Sequence, residues 1–150
     1  MSDFGEIDEV HEGLYIGACW PLLNFNKIKK EGITAIVNLM EREKYSLPDN
    51  EYFYLHEGIS DDYYTSHESL KRILNFIDKH IQNGKVLVHC SMGVSRSGGV
   101  VVAWLLKEHP NWTWDDAVQY VKRSHGIYPA IEIKQSILDY LESIQRKRRD

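Results

Sequence analysis

The sequence predicts an α/β domain with a central, mostly parallel sheet flanked by helices. Short β-branched runs come early and alternate with helical stripes, whereas helices dominate the end of the chain. The run Val86-Leu87-Val88 is compact and apolar, as expected for a strand buried on both faces. With 150 residues, 43% of them hydrophobic and 27% charged, the chain suits one globular domain spanning residues 1–150.

The first third of the chain contains three candidate strands and one candidate helix. Gly32 is placed to end the helix, and the charged stretch 41–50, which includes Pro48, is typical of a loop. We therefore predict strands at residues 14–17, 33–39 and 52–55, and a helix at residues 21–30.

A long amphipathic helix follows the polar loop 59–65. Thr65 and Glu68 have the spacing of a capping box at its start, and Asn83-Gly84 ends it. Residues 85–89 then form the buried strand. The amphipathic helix before this strand is predicted from five apolar residues at helical spacing: Leu70, Ile73, Leu74, Ile77 and Ile81.

Three further helices are predicted after residue 97. Residues 100–107 are mostly apolar, Thr113 with Asp116 marks the cap of the next helix, and Gly126 ends that helix. Pro129 suits the first turn of the last helix. The buried stripe of that last helix is Ile133, Ile137, Leu141 and Ile144.

Charge and composition exclude several classes of protein. A net charge of −4 and a pI near 6.0 argue against a nucleic-acid binder, and no apolar run reaches membrane-spanning length. The N-terminus lacks the apolar stretch of a secretory signal. Two cysteines, Cys19 and Cys90, give no disulfide framework, so we expect a cytoplasmic protein with possible nuclear access. We expect no metal or cofactor, since the seven histidines are scattered, and we take a monomer as the default for an oligomeric state that the sequence leaves open.

The most informative segment is residues 89–97, His-Cys-Ser-Met-Gly-Val-Ser-Arg-Ser, between the buried strand and a helix. Backbone N–H groups of residues 91–96 in such a loop curl into an anion-binding nest. Gly93 allows a positive φ or a close backbone approach. The planar guanidinium of Arg96 matches phosphate oxygens. The predicted phosphate-binding residues are Ser91, Met92, Gly93, Val94, Ser95 and Arg96.

The same positive environment favours the thiolate of Cys90, which is then a nucleophile at neutral pH. Ser97 is placed to donate a hydrogen bond to the Cys90 sulfur when that sulfur leaves. His89 is expected to orient the loop by bonding its backbone. A lone cysteine after a strand is usually an inert core residue, but here cysteine, glycine, arginine and serine stand together at fixed offsets.

These residues resemble the signature of the protein tyrosine phosphatase superfamily, and residues 88–97 resemble its dual-specificity branch. The similarity extends to residues 14–17, 32–39 and 76–78, and to Pro129 and Gln135 in the last helix. It implies the cysteine-phosphatase fold and a phosphocysteine intermediate. It also implies a general acid upstream of the cysteine, best matched by Asp61, with neighbouring Asp62 as the alternative.

Two features depart from the family pattern. Gly98-Gly99 stands where other residues usually help a helix to start, and close packing against the phosphate loop is our hypothesis for these glycines. His125 occupies the position where relatives often place a second anion-binding arginine, with Lys122 and Arg123 nearby. A weaker or pH-dependent contact with a second phosphate follows as a hypothesis.

The resemblance implies hydrolysis of phosphomonoesters on proteins, at phosphotyrosine and at phosphoserine or phosphothreonine. The five positions between Cys90 and Arg96 contain no basic residue, which favours phosphoproteins over phosphoinositides. Three alternatives stay open at this point. They are a phosphopeptide-binding pseudophosphatase, a phosphoinositide phosphatase, and a sulfurtransferase or arsenate reductase with a similar loop.

Overall fold

The computed structural model describes residues 4–48 and 50–149, and within them it contains five strands and five helices. The strands form one sheet in the order β1-β2-β5-β3-β4, parallel except for the β1–β2 pair. The predicted α/β fold with a mostly parallel sheet is therefore confirmed. The elements are β1 Ile7–His11, β2 Leu14–Ala18, α1 Phe25–Glu31, β3 Ala35–Asn38, β4 Phe53–His56, α2 His67–Ile81, β5 Val86–Cys90, α3 Arg96–Glu108, α4 Trp114–Lys122 and α5 Ile131–Arg149.

The central strand β5 lies between β2 and β3, and all five of its residues are buried. Val86, Val88 and Cys90 point into the larger core, which α2, α3, α4 and α5 cover. Leu87 points into a second core on the α1 side. Both faces of β5 are thus covered, which is why its sequence is a continuous apolar run. Its carboxyl end brings Cys90 to the edge of the sheet where α/β proteins bind ligands.

Strand β1 was not predicted from the sequence. It pairs antiparallel with β2 at the edge of the sheet and buries only Ile7 and Val10, so its sequence lacks an apolar run. Its hydrogen bonds to β2 define it instead. Among the described residues, no helix is long and apolar enough to cross a membrane.

Several predicted helix starts were wrong by a few residues. Helix α1 begins at Phe25, because the Asn24 side chain caps it by accepting from the Lys27 N–H. The cap of α2 is Ser66, which accepts from Ser69, and not Thr65. Thr65 is buried instead, and its N–H donates to the Ser136 hydroxyl.

The starts of two later helices also differ from the prediction. Helix α3 begins at Arg96, four residues earlier than predicted, and α5 begins at Ile131, so Pro129 precedes the helix and does not lie in its first turn. The capping box of Thr113 and Asp116 at α4 is confirmed by both hydrogen bonds.

The two glycines Gly98 and Gly99 serve helix packing and not contact with the phosphate loop. A Cβ on Gly98 would lie 2.9 Å from the Ile127 side chain, and one on Gly99 would lie 2.4 Å from Ile133. Helix α3 therefore approaches the segment before α5 at Gly98, and α5 itself at Gly99, too closely for a side chain at either position. The hypothesis that these glycines face the loop was wrong.

Candidate active site

The loop between β5 and α3 has the shape of an anion site. Gly93 has φ +69°, and a Cβ there would lie 2.9 Å from the Gly17 carbonyl oxygen, so both the conformation and the space require glycine. Within the described part of the chain, the backbone N–H groups of residues 91–95 have no hydrogen-bond acceptor. Consecutive free N–H groups before a helix are the donors that bind phosphate.

Cys90 lies at the base of this loop with its sulfur beside a hydroxyl. The Cys90 Sγ is 3.2 Å from the Ser97 Oγ, and both residues are buried. Ser97 belongs to the first turn of α3, so the helix that follows the loop positions the hydroxyl. Both cysteines of the chain are free. The hydroxyl can therefore donate to a thiolate at Cys90.

His89 supports the loop from the buried side. Its Nδ1 is 3.4 Å from the Cys90 carbonyl oxygen, and its Nε2 is 2.6 Å from the Tyr45 hydroxyl. Since a carbonyl only accepts, Nδ1 carries the proton and Nε2 accepts from Tyr45. Burial lowers the pKa of His89 to about 4 and raises that of Tyr45 above its usual value, so both stay neutral.

Tyr45 was not identified from the sequence as a site residue. It comes from the charged stretch that we predicted as a loop, and its ring packs against those of Phe25, Tyr54 and His89. Nothing in the local sequence marks it, because its partner His89 lies 44 positions away.

Arg96 is held by backbone carbonyls that follow neighbouring strands. Its Nη1 donates to the Ile59 carbonyl oxygen at 3.1 Å and to that of Leu39 at 3.5 Å. Its Nε is buried and has no partner among the described residues. A buried, unpaired guanidinium donor is costly unless a ligand satisfies it. The loop and Arg96 together therefore fit a bound oxyanion such as phosphate.

Of the two candidate acids, the structure brings Asp61 to the loop and leaves Asp62 outside. The Ser95 hydroxyl donates to Asp61 Oδ1 at 2.8 Å, and Arg96 Nε is 4.0 Å from the same oxygen. Asp62 is exposed, and its backbone N–H donates to the Ser60 hydroxyl. Asp61 is therefore the carboxyl that can reach a group bound in the loop.

His125 lies beneath the loop and is not available to a second phosphate. Its Nε2 is 2.7 Å from the Gly93 carbonyl oxygen and its Nδ1 is 2.6 Å from an Asp8 carboxylate oxygen. Both partners accept, so both ring nitrogens donate. The second-phosphate hypothesis for this residue was wrong, because β1 supplies an unforeseen partner.

The other basic residues in this stretch are on the surface. Lys122 and Arg123 are exposed at the end of α4, and the Arg123 guanidinium lies 5.4 Å from the centre of the Tyr120 ring. Ligand atoms of Glu6, Asp8 and His125 lie within 4.8 Å of one another. Both ring nitrogens of His125 already make hydrogen bonds. A metal ion could therefore bind His125 only by breaking its bond to Asp8 or its bond to the Gly93 carbonyl oxygen.

An apolar rim adjoins the phosphate loop. Met92 and Val94 of the loop and Trp20, which follows β2, are exposed. All three line a groove of about 350 Å³ that also reaches His125 and Glu6. Tyr63 and Tyr64 follow Asp61 and are exposed, and the Tyr64 hydroxyl donates to Asp139 of α5 at 2.5 Å.

Residues 14–143 match the family model of the dual specificity phosphatase catalytic domain. The chain belongs to the dual-specificity phosphatase family. This membership confirms the resemblance that the loop sequence indicated, and the matched range covers every residue of the site described above except Glu6 and Asp8.

The family includes curated relatives of very different length. An Arabidopsis thaliana dual specificity protein phosphatase 1B is 30% identical over 142 residues, which cover 93% of this chain and 84% of that protein. A Xenopus laevis protein phosphatase Slingshot homolog is 33% identical over 130 residues, covering 85% of this chain. The match spans only 18% of that Slingshot homolog and 13% of the Drosophila melanogaster Slingshot protein.

Solved structures show the same fold. A human tyrosine phosphatase-like serine/threonine/tyrosine-interacting protein superimposes with a TM-score of 0.80 at 27% identity, over 93% of this chain and 97% of that one. A mouse putative dual specificity phosphatase gives a TM-score of 0.81 at 23% identity, over 95% and 90% of the two chains. The cysteine-phosphatase architecture is therefore confirmed.

Proposed function

We propose that this chain hydrolyses phosphomonoesters on proteins, with Cys90 as nucleophile and a phosphocysteine intermediate. One observation carries the proposal. The Cys90 thiol lies beside the Ser97 hydroxyl at the base of a loop whose N–H groups are free, and Arg96, directly after that loop, has a buried Nε without a hydrogen-bond partner. This arrangement binds a phosphate dianion and stabilises a thiolate with the same donors.

In the first step the Cys90 thiolate attacks phosphorus, so that an S–P bond forms and the ester P–O bond breaks. Asp61 donates a proton to the departing oxygen, which leaves as an alcohol or phenol. Arg96 and the loop amides bind the equatorial oxygens throughout and stabilise their charge. The hydrogen bonds from Arg96 Nη1 to the Ile59 and Leu39 carbonyl oxygens fix the guanidinium group. Its remaining donors therefore need not reorient when phosphate binds.

In the second step water attacks phosphorus and Asp61, now ionised, accepts its proton. The S–P bond breaks, and the sulfur leaves as a thiolate that accepts a hydrogen bond from the Ser97 hydroxyl. In this cycle Asp61 gives and then takes the proton, while Arg96, the loop amides and the Ser97 hydroxyl stabilise the charge. A reducing compartment such as the cytoplasm would keep the Cys90 thiol available.

The rim of the site favours protein substrates. Between Cys90 and Arg96 the loop exposes Met92 and Val94 and contains no basic residue. Trp20 extends this apolar surface. A polyphosphorylated lipid headgroup would gain little there, whereas the apolar side chains that flank a phosphoresidue in a protein would be buried.

The test is hydrolysis of 4-nitrophenyl phosphate and of phosphotyrosine and phosphothreonine peptides, in EDTA and a thiol reductant. We expect the wild-type chain to turn over all three and Cys90→Ser to lose at least about 10³-fold in kcat. Activity that Cys90→Ser retains, or that EDTA removes, would contradict the proposal. Peptide binding without turnover by the wild type would instead support a pseudophosphatase.

A further inference from the structure

We infer that Ser95 is a positioning residue for the general acid, and that its hydroxyl dictates which oxygen of Asp61 carries the transferred proton. The inference rests on the proposed function and adds a role for a side chain that we had expected to serve only through its backbone. Ser95 acts on the reaction through Asp61 and does not itself touch the reacting atoms.

The hydrogen bonds around Ser95 have one consistent direction. The backbone N–H of Ala130, just before α5, donates to the Ser95 Oγ at 2.9 Å. An amide N–H cannot accept, so the hydroxyl's own proton is available to another group. That proton goes to Asp61 Oδ1, 2.8 Å away. The start of α5 thus orients the hydroxyl, and the hydroxyl orients the carboxyl group.

This direction fixes the proton on the acid. When Asp61 is protonated it carries a single proton, and Oδ1 is already the acceptor of the Ser95 hydroxyl. The acidic proton therefore sits on Oδ2, which is the oxygen left to face the departing group. The same bond holds Oδ1 at 4.0 Å from Arg96 Nε, beyond hydrogen-bond distance, so that the arginine donor is kept for phosphate.

The position of Ser95 makes this use of its hydroxyl unusual. Ser95 is the N-cap residue of α3, where a serine side chain normally accepts from an N–H of the first helical turn. Here the side chain makes no such cap. The helix gives up a stabilising bond, and the hydroxyl joins Asp61 to Ala130 instead, which indicates a role outside the helix.

The test is a double-mutant cycle of Ser95→Ala and Asp61→Ala, read as kcat/KM for two substrates. Phenyl phosphate has a poor leaving group and needs the acid, whereas 4-nitrophenyl phosphate needs it much less. We expect Ser95→Ala to lower kcat/KM for phenyl phosphate about tenfold, the usual scale of one lost hydrogen bond, with a smaller loss for 4-nitrophenyl phosphate. In the Asp61→Ala background Ser95→Ala should change neither value.

Two controls isolate the effect. Ser95→Thr keeps the hydroxyl and should restore the phenyl phosphate rate, and Asp62→Ala, one residue from the acid, should match wild type. Equal losses of kcat/KM in both backgrounds, or for both substrates, would overturn the inference. They would show that Ser95 supports the structure of the loop or of α5 and does not act through Asp61. If Asp61→Ala lowers the phenyl phosphate rate but Ser95→Ala does not, the inference fails and the proposed acid stands. If Asp61→Ala has no effect, both fail.

Discussion

At the scale of single residues, the site depends on side chains whose hydrogen-bond partners determine which atom carries the proton. His89 donates from Nδ1 and accepts at Nε2, His125 donates from both nitrogens, and the Ser95 hydroxyl donates to Asp61. Each of these contacts orients the phosphate loop or the acid beside it. These hydrogen bonds thus orient the loop that carries Cys90 and the carboxyl group of Asp61.

The lowered pKa of His89 makes the stability of the fold depend on pH. In the unfolded chain this imidazole takes up a proton near pH 6.5, whereas in the folded protein burial lowers its pKa to about 4. The unfolded state therefore binds more protons between these values, and the stability present above pH 6.5 is lost as the pH falls toward 4. The loss attributable to this residue is about 3 kcal/mol.

Urea unfolding at pH 7 and at pH 4.5 tests this prediction. The free energy of unfolding should fall more steeply in the wild type than in His89→Gln. If that variant does not fold, an NMR titration of the wild type decides, since the His89 ring signals should stay constant between pH 8 and pH 5.5. A titration midpoint near 6.5 would contradict the assignment of a neutral, buried imidazole.

At the scale of elements, the site depends on how closely α3 packs against α5. Gly99 lies where a Cβ would be 2.4 Å from Ile133 Cγ2 and 3.2 Å from Ile137 Cδ1. Ile133 and Ile137 are fully buried, so neither can move into solvent. This contact holds the start of α3, and with it Arg96 and Ser97, at the correct distance from β5.

Gly99→Ala should destabilise the protein even though alanine is the better helix former. Overpacking costs about 1–3 kcal/mol, and the gain in helix propensity offsets up to about 1 kcal/mol of it. We expect the free energy of unfolding to fall by about 1–2 kcal/mol. Gly126→Ala is the matched control, because nothing lies within 4 Å of its added Cβ, and it should change stability by less than about 0.5 kcal/mol. A neutral or stabilising Gly99→Ala would show that the contact is not tight.

The elements also show what could be predicted from the sequence. Strand β5, the loop and the helix after it were predictable because an apolar run, Gly93 and Arg96 stand at local, fixed spacings. Strand β1 was not, since it buries little apolar surface. The pairing of Asp8 with His125 spans 117 positions and that of Tyr45 with His89 spans 44. Such contacts arise from tertiary packing, which local patterns do not encode.

At the scale of the whole molecule, the site is assembled from segments spread along most of the sequence. His125, which is paired with Asp8 of β1, donates to the Gly93 carbonyl oxygen in the loop after β5. Arg96 donates to the Leu39 and Ile59 carbonyl oxygens. The segment around Asp61 is tied to α5 through Thr65 and Ser136 and through Tyr64 and Asp139. The fold therefore brings Asp61, the proposed acid, to Ser95 and Arg96 at the end of the loop that follows Cys90.

The most direct test of the central claim is to trap the covalent intermediate. The wild-type chain would be mixed with 4-nitrophenyl phosphate, quenched in acid within its first turnovers, and digested for mass spectrometry. We predict one phosphoryl group on Cys90, absent from Cys90→Ser and more abundant in Ser97→Ala, where the thiolate leaves more slowly. Turnover with no phosphoryl group on Cys90, or with that group on another residue, would contradict the account.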